Sequence, residues 1–406
     1  MSIVNNLHPG ASIRSFPLGD QLLLFDENSG RMFCINAAAE VIWKGCQAGL
    51  SSESIIDTLQ RATGAQIERI ADDVHRTLSE WQVMGLLQAG PNAADVDRQP
   101  AIPEAAPGPQ IAGAEIDSRT AILTGGCQCL FRLIDTCFRL RVPLTEAWQC
   151  VMPIFAHLST SATAPCKAEF NIVRSESGYA LFHNGVLIDR CRDATGIAPM
   201  AHGNSLLVAY ESSRCLLGLH AAAVVHNHQS ILMPAVSGSG KSTLTAALIG
   251  GGFQYCADDL VLLTPAPIRM RPVPAAIGLK SGSWPPLQAY HAKIASLRTH
   301  IRTDGKHIRY LVPPESSLRL SGELPLPVNH IVFPHYDANT HDSVLTPTHP
   351  ADGLCRLAAA GYDVRGCLTA DIVGQMIAWI SDIPCYELRF NRLEDAVSIL
   401  LSLIES

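Results

Sequence analysis

The sequence is 406 residues long, with 47% hydrophobic residues, 17% charged residues and a formal net charge of −7. This length favours two or three domains, and this composition is typical of folded proteins with a substantial core. A net negative charge argues against the basic surface that nucleic-acid-binding proteins carry. We therefore expect no nucleic acid as partner. Because no run of eighteen apolar residues occurs and the first residues lack a signal-peptide pattern, we also expect no membrane as partner.

The cysteines bear on cellular location. Thirteen of them are scattered between Cys34 and Cys385, and their number is odd. The one close pair, Cys127 and Cys129, has no second pair at the spacing of a zinc site. We therefore interpret the cysteines as small buried thiols rather than metal ligands, which predicts a cytoplasmic location.

Residues 1–88 predict a small module that begins with a β-hairpin. Two strand-like runs, Gln21–Phe25 and Arg31–Ile35, flank turn-forming residues. Three helices are predicted next: Ala37–Cys46, a second that Ser51 or Ser52 caps and Gly64 ends, and a third with Ile67, Ile70, Val74, Leu78 and Trp81 on one face. The module contains no convergent set of His, Cys, Asp or Glu, so we expect no chemistry within it.

Residues 89–113 are rich in Ala, Pro and Gly, a composition that predicts an extended linker. Residues 114–406 then form a larger body in which apolar strands alternate with helical stretches, which favours an α/β fold. The strand candidates are Glu169–Val173, Tyr179–Phe182, Leu216–Val225, Ser230–Met233 and Leu260–Leu263. The tail is predicted to form helices over Asp371–Ile380 and Asn391–Ile404 around a strand at Cys385–Phe390.

The strongest chemical signal is a small-residue loop between an apolar strand and a helix. The loop fits the phosphate-binding pattern G-x-x-x-x-G-K-S/T, except that Ala235 stands at the first glycine. Small residues let several backbone N–H groups approach phosphate oxygens, and the helix N-terminus adds partial positive charge. Lys241 is predicted to neutralise the β- and γ-phosphates and Ser242 to ligate Mg²⁺. The candidate ATP-binding residues are Ser237, Gly238, Ser239, Gly240, Lys241, Ser242 and Thr243.

A second signal is the pair Asp258-Asp259, which ends an apolar strand shortly after the loop helix. A phosphotransferase needs one carboxylate near Mg²⁺ and another near the attacking hydroxyl. Two adjacent carboxylates can divide these roles, since different environments push their pKa values apart. The residues themselves leave open which of the two is the base.

The order of His220-Ala221-Ala222-Ala223, the loop and Ala257-Asp258-Asp259 resembles HPr kinase/phosphorylase and the HPr-kinase-related proteins. The resemblance implies a P-loop kinase whose fold is akin to that of phosphoenolpyruvate carboxykinase. It implies Asp258 as general base, Asp259 as support for Lys241 and the metal, and His220 beside the transferred phosphoryl group. A histidine in an apolar strand is otherwise a satisfied core residue. Related kinases form hexamers, but the residues leave the oligomeric state open.

The segment Ala276–Trp284 departs from the HPr kinases because it lacks their acidic residue and carries Lys280 instead. Together with Arg309–Pro313 it resembles the HPr-kinase-related branch. Lys280 is a candidate to bind a phosphate or a substrate carboxylate, the alternative being a solvated surface lysine. We therefore expect neither HPr as the substrate nor a phosphorylase activity.

The N-terminal module resembles PqqD-like proteins in its hairpin, in the stretch Cys34–Trp43 and in a late helix that ends at Gly85-Leu86-Leu87. These winged-helix-like modules hold the leader of a ribosomally made peptide for its modifying enzyme. The resemblance implies an edge strand or groove for an extended peptide, delivered to the kinase by the linker. A structural cap or a dimerisation module is the alternative.

Three functional hypotheses follow. The first is an ATP- and Mg²⁺-dependent kinase that phosphorylates a Ser or Thr hydroxyl of a peptide or small protein bound by the N-terminal module. Related kinases are associated with lasso-peptide tailoring, so a modified peptide is the natural substrate class. The second is a small-molecule kinase, and the third is a non-catalytic, ATP-sensing peptide adaptor.

Overall fold

The computed structural model describes residues 7–89, 127–142, 145–160, 166–318, 324–361 and 368–405. These residues form two compact units, one before and one after the break at residues 90–126, and residues 368–374 group with the first. The predicted linker 89–113 lies outside the described residues apart from residue 89. Among the described residues, no helix combines the length and apolar character that crossing a membrane requires.

The N-terminal unit consists of a three-stranded antiparallel sheet, a two-stranded ribbon and three helices. Its elements are β1 (Leu7–Pro9), β2 (Ile13–Leu18), β3 (Gln21–Asp26), β4 (Arg31–Ile35), α1 (Ala37–Gln47), α2 (Ser52–Thr63), α3 (Ile67–Val83) and β5 (Leu87–Ala89). The sheet has the order β2-β3-β4, and β1 pairs with β5. The predicted hairpin and all three helices are confirmed, whereas β1, β2 and β5 were not predicted.

Local sequence explains the helix ends of this unit. The Ser51 side chain accepts a hydrogen bond from the Ser54 N–H at the start of α2, and Gly64 ends that helix in the left-handed conformation.

Trp43 and Trp81 meet edge to face in the core, with ring centroids 5.5 Å apart. Of the five residues predicted to share one face of α3, four are buried and Ile67 is not. Ile67 is 41% exposed because it is the first residue of α3, at the helix's exposed end.

The C-terminal unit is a mixed α/β body, as the alternation of strands and helices predicted. Its first elements are β6 (Cys127–Leu133), β7 (Thr136–Val142), α4 (Thr145–Phe155), β8 (Ala168–Ser175), β9 (Gly178–His183), β10 (Val186–Cys191), α5 (Ile197–Ser212), β11 (Leu217–Leu219), β12 (Ala221–His226), β13 (Gln229–Pro234), α6 (Lys241–Gly250), β14 (Gln254–Ala257), β15 (Val261–Thr264) and β16 (Arg269–Arg271).

The remaining elements are β17 (Ile277–Lys280), α7 (Trp284–Leu287), β18 (His300–Ile301), β19 (His307–Leu311), β20 (His330–Tyr336), β21 (Val344–Pro347), α8 (Pro350–Ala359), α9 (Ala370–Ile380), β22 (Cys385–Phe390) and α10 (Leu393–Glu405). They belong to the C-terminal unit, except that residues 370–374 at the start of α9 group with the first unit. The described strands form sheets with the orders β10-β9-β8-β7-β6, β14-β12-β13-β20-β22-β21, β11-β15-β16 and β17-β19-β18.

The six-stranded sheet positions the candidate site. Its strands β13, β20 and β22 run parallel to one another, so their carboxyl ends meet at one edge. Helices α6 and α10 pack through fully buried residues such as Leu244, Leu248 and Leu400 into the cluster that covers this sheet. Each fully buried leucine contributes roughly 1.5–3 kcal/mol, so the strand–loop–helix at β13 and α6 rests on a stable base.

Two sequence predictions about the bounds of elements in this unit are wrong. Leu216–Val225 was predicted as one strand, but β11 and β12 belong to different sheets and His220 lies between them. The chain leaves the ladder there because the His220 N–H donates to the Ala360 carbonyl and the His220 carbonyl accepts from the Ala235 N–H. The last helix begins at Leu393 rather than Asn391, which leaves Asn391 in the connection that follows β22.

Candidate functional site

The loop between β13 and α6 has the backbone shape that its glycines allow. Gly238 and Gly240 adopt φ values of 97° and 89°, which side chains with a Cβ rarely tolerate. Ala235, in contrast, has no positive φ. The alanine at the first glycine of the phosphate-loop pattern therefore introduces no backbone strain.

Lys241, the first residue of α6, is the centre of a small polar cluster. Its side chain is only 5% exposed, and its Nζ lies 3.1 Å from His220 Nε2 and 3.5 Å from Asp259 Oδ1. The break between β11 and β12 brings His220 here, and the turn after β14 brings Asp259. Residues that are 21 and 18 positions away from Lys241 in sequence thus converge on its ammonium group.

The two aspartates occupy different environments. Asp258 is 3% exposed, and neither carboxylate oxygen has a hydrogen-bonding partner among the described residues. Burial, and then the charge of Asp259, raise the pKa of Asp258 to about 7, while Lys241 and the nearby Ser242 hydroxyl oppose this rise. The Asp259 side chain is 40% exposed and lines the cavity in front of the loop.

His220 is held as a neutral imidazole. Burial lowers its pKa, and the neighbouring Lys241 charge lowers it further. A neutral ring accepts a hydrogen bond at one nitrogen, so the Lys241 ammonium donates to Nε2. His220 therefore orients the lysine that faces the loop.

Lys280, the last residue of β17, reaches the loop between β13 and α6. Its Nζ donates to Ser237 Oγ at 3.3 Å. The segment after Lys280 is fixed by Trp284, whose Nε1 donates to the Leu279 carbonyl and whose ring lies 4.0 Å beneath the Arg309 guanidinium. The two sequence segments around Lys280 and Arg309 are therefore neighbours, through the pairing of β17 with β19.

A cavity of about 1120 Å³ opens in front of the loop. All seven candidate ATP-binding residues line it, together with His220, Asp259 and Lys280. Its wall also contains residues that the sequence analysis missed: His202, Arg302, Tyr310, Tyr336, Asn391 and Arg392. These lie in helices, strands and loops that are distant in sequence, and only Tyr310 belongs to a segment, Arg309–Pro313, that the sequence pattern singled out.

The residues around the loop suit a phosphate-bound divalent cation. Ser242 and the two aspartates supply hard oxygen ligands, and the Asp258 oxygens lack protein partners. No group of three or more His, Cys, Asp and Glu residues in the described ranges forms a metal site by itself. Mg²⁺ is commonly held by one or two carboxylates plus substrate phosphates, and this donor set fits that mode.

Comparison with known proteins finds a family match for the N-terminal part of the chain. Residues 21–87 match the family described as Coenzyme PQQ synthesis protein D (PqqD), which confirms the PqqD-like resemblance of the N-terminal module. The chain matches none of the curated proteins.

Two solved structures are similar to parts of the chain. One is TbiB1 in complex with the TbiA(beta) leader peptide, at 19% identity and a TM-score of 0.20, covering 21% of this chain and 99% of that chain. The other is the Hpr(Ser) kinase/phosphatase from Coxiella burnetii, at 12% identity and a TM-score of 0.23, covering 46% of this chain and 88% of that chain.

Proposed function

We propose that the protein is an ATP- and Mg²⁺-dependent kinase of the HPr-kinase-related branch. In this proposal the C-terminal unit transfers the γ-phosphoryl group to a Ser or Thr hydroxyl of a peptide or small protein. The N-terminal PqqD-like unit binds that substrate. The ribosomally made peptides that PqqD-like modules hold are the expected substrate class.

One arrangement carries the kinase assignment: Lys241, which follows the glycine loop, lies 3.5 Å from Asp259 and close enough to the buried Asp258 to oppose the rise of its pKa to about 7. The loop alone would support any nucleotide-binding protein. A base with a pKa near the working pH is what removal of a proton from an alcohol requires. Asp258 is near enough to Ser242 and Lys241 for both to oppose the rise of its pKa, and this proximity supports a role for Asp258 near the γ-phosphate.

In this proposal the residues of the chain have the following binding and catalytic roles. Loop N–H groups and the start of α6 bind the phosphates, while Lys241 and Lys280 neutralise their charge. Ser242 and Asp259 would hold Mg²⁺, which when bound screens the charge on the phosphates. Asp258 accepts the proton of the acceptor hydroxyl. At the same time the hydroxyl oxygen bonds to the γ-phosphorus, and the bond between this phosphorus and the oxygen that leaves with ADP breaks.

The N-terminal unit supports a peptide as acceptor. In the described part of this unit, β2 and β4 are the outer strands of the three-stranded sheet, and an extended peptide can add to such an edge through backbone hydrogen bonds. At β4 the Arg31 guanidinium lies over the Phe33 ring, 4.9 Å from its centroid, which gives this edge apolar and cationic side-chain surface. The match to PqqD over residues 21–87 favours this use of the unit.

Transfer of the γ-phosphate of radiolabelled ATP by the full chain tests the proposal, with Ser- and Thr-containing peptides as acceptors. Asp258→Asn is expected to abolish transfer and to retain ATP binding, and Asp259→Asn tests the exchanged assignment of the two carboxylates. A wild-type protein that binds ATP but labels no peptide, protein or metabolite would instead be the ATP-sensing adaptor.

A chain that lacks residues 1–90 separates the peptide kinase from the small-molecule kinase. Loss of affinity for the full-length peptide, with ATP binding retained as the control for folding, supports the peptide kinase. Unchanged turnover of the acceptor by the shortened chain would favour a small-molecule substrate.

A further inference from the structure

The cavity extends past the phosphate loop to the carboxyl ends of two neighbouring strands. Tyr336 is the last residue of β20 and Phe390 the last residue of β22, and the two are partners in the parallel register. The chain that follows β22 adds Arg392 to the same end of the cavity. Open sheets with parallel strands commonly bind ligands at this edge.

The aromatic pair is fixed to the phosphate loop by close contacts. The Tyr336 N–H donates to the Ser239 carbonyl at 3.0 Å. A Cβ at Gly240 would lie 3.0 Å from Tyr336 Cβ and 3.2 Å from Phe390 Cζ, so Gly240 allows the loop to approach both side chains. Tyr336 therefore keeps a defined position beside the loop.

This end of the cavity offers flat surfaces for an aromatic ring. Tyr336 is 50% exposed, whereas Phe390 is only 1% exposed and meets it edge to face with centroids 5.8 Å apart. The exposed Arg392 guanidinium is a second planar group, and its Nε lies 3.9 Å from Glu394 Oε2, too far for a tight ion pair. An exposed tyrosine ring and a guanidinium are the groups on which nucleobases stack.

The direction of the phosphate chain follows from Lys241. Its Nζ lies at the end of the loop that borders His220 and Asp259, whereas Tyr336 contacts the loop at Ser239 and Gly240. Because the loop lysine serves the β- and γ-phosphates, the γ-phosphate and the acceptor must meet at that end. The α-phosphate and nucleoside then extend along the loop towards Ser239 and Gly240, where Tyr336 is held.

We infer that Tyr336 and Arg392 form the subsite for the base of the donor nucleotide, with Phe390 supporting the tyrosine ring from below. This inference rests on the proposed function, since it assigns the second half of the same cavity. It makes the donor a nucleoside triphosphate rather than an inorganic polyphosphate.

Calorimetric titration of the full chain with ATP and with inorganic tripolyphosphate, both with Mg²⁺, tests the subsite. Tyr336→Ala is expected to weaken ATP binding about tenfold through loss of base stacking and to leave tripolyphosphate binding unchanged. Tyr336→Phe keeps the ring and should bind ATP like the wild type. Arg392→Ala should also weaken ATP binding selectively, while Lys241→Ala should weaken both ligands.

The outcomes of these titrations distinguish failure of the base subsite from failure of the proposed kinase function. Unchanged ATP affinity in Tyr336→Ala and Arg392→Ala, with Lys241→Ala still impaired, would overturn the base subsite and leave the phosphate site intact. Equal weakening of ATP and tripolyphosphate in Tyr336→Ala would also overturn it, since that pattern indicates a distorted loop. Failure of the wild type to bind either ligand would contradict the proposed function itself.

Discussion

The two units of the protein differ in what they bury. No charged side chain is buried in the described part of the N-terminal unit, whose core consists of apolar faces around Trp43. The C-terminal unit buries Lys241 and Asp258. Burying charge costs free energy unless it is fully paired, and Asp258 has no such pairing in the described structure. The first unit therefore has an apolar core without buried charge, whereas the second accepts the free-energy cost of burying charged side chains.

The largest expected effect is a loss of stability confined to the N-terminal unit. Trp43→Ala removes a fully buried indole and should lower the free energy of unfolding by about 4 kcal/mol. Trp43→Phe is the matched control, since it keeps a ring and removes an indole N–H that has no partner in the described residues. Chemical denaturation and ATP titration would check this, and reduced ATP affinity in Trp43→Ala would contradict the separation of the two units.

A second prediction tests the stability cost of Asp258. Its pKa rises from 3.8 in the unfolded chain to about 7 in the fold, so the contribution of this carboxyl to stability is fully present below pH 3.8 and is lost as the pH rises through 7. Asp258→Asn cannot ionise and should therefore stabilise the C-terminal unit more at pH 8 than at pH 5, by at most about 3 kcal/mol. Thermal unfolding at both pH values measures the difference. Equal effects at pH 5 and pH 8 would show that Asp258 does not titrate between them.

The same titration predicts the pH dependence of phosphoryl transfer. A base with a pKa of about 7 must be ionised, so kcat/KM should fall about tenfold per pH unit below 7 and about a hundredfold at pH 5. Initial rates between pH 5 and 9 give the profile. Asp259→Asn should move the midpoint downward, because the Asp259 charge raises the pKa of Asp258. A profile flat down to pH 5 would exclude Asp258 as the base.

The smallest effect concerns a helix end in the N-terminal unit. Ser51→Ala removes the hydrogen bond to the Ser54 N–H and should destabilise the unit by about 1 kcal/mol. Ser51→Asp retains a capping acceptor and serves as the control. Denaturant titration that finds Ser51→Ala and Ser51→Asp equally stable would contradict the capping role.

Features set by near neighbours in sequence were predictable. Apolar residues at steps of three and four placed α2 and α3, and Ser51 and Gly64 marked the ends of α2. Periodicity placed Ile67 on the same face of α3 as the buried residues, but it does not show that the first residue of the helix is exposed to solvent. Likewise, an apolar run gave no sign that the chain changes sheets at His220.

The sequence by itself predicted the glycine loop between a strand and a helix, the aspartate pair at a strand end and the PqqD-like module, because each is a contiguous pattern of residue types. Only the tertiary structure decided that His220 faces Lys241, that Lys280 reaches Ser237, and that Tyr336 borders the loop. Those contacts depend on which strands pair and on where their carboxyl ends meet. Burial likewise separated two adjacent aspartates into one with a raised pKa and one that lines the cavity. The residues next to Asp258 and Asp259 in sequence do not show which carboxylate is buried, because elements from distant parts of the chain pack around them.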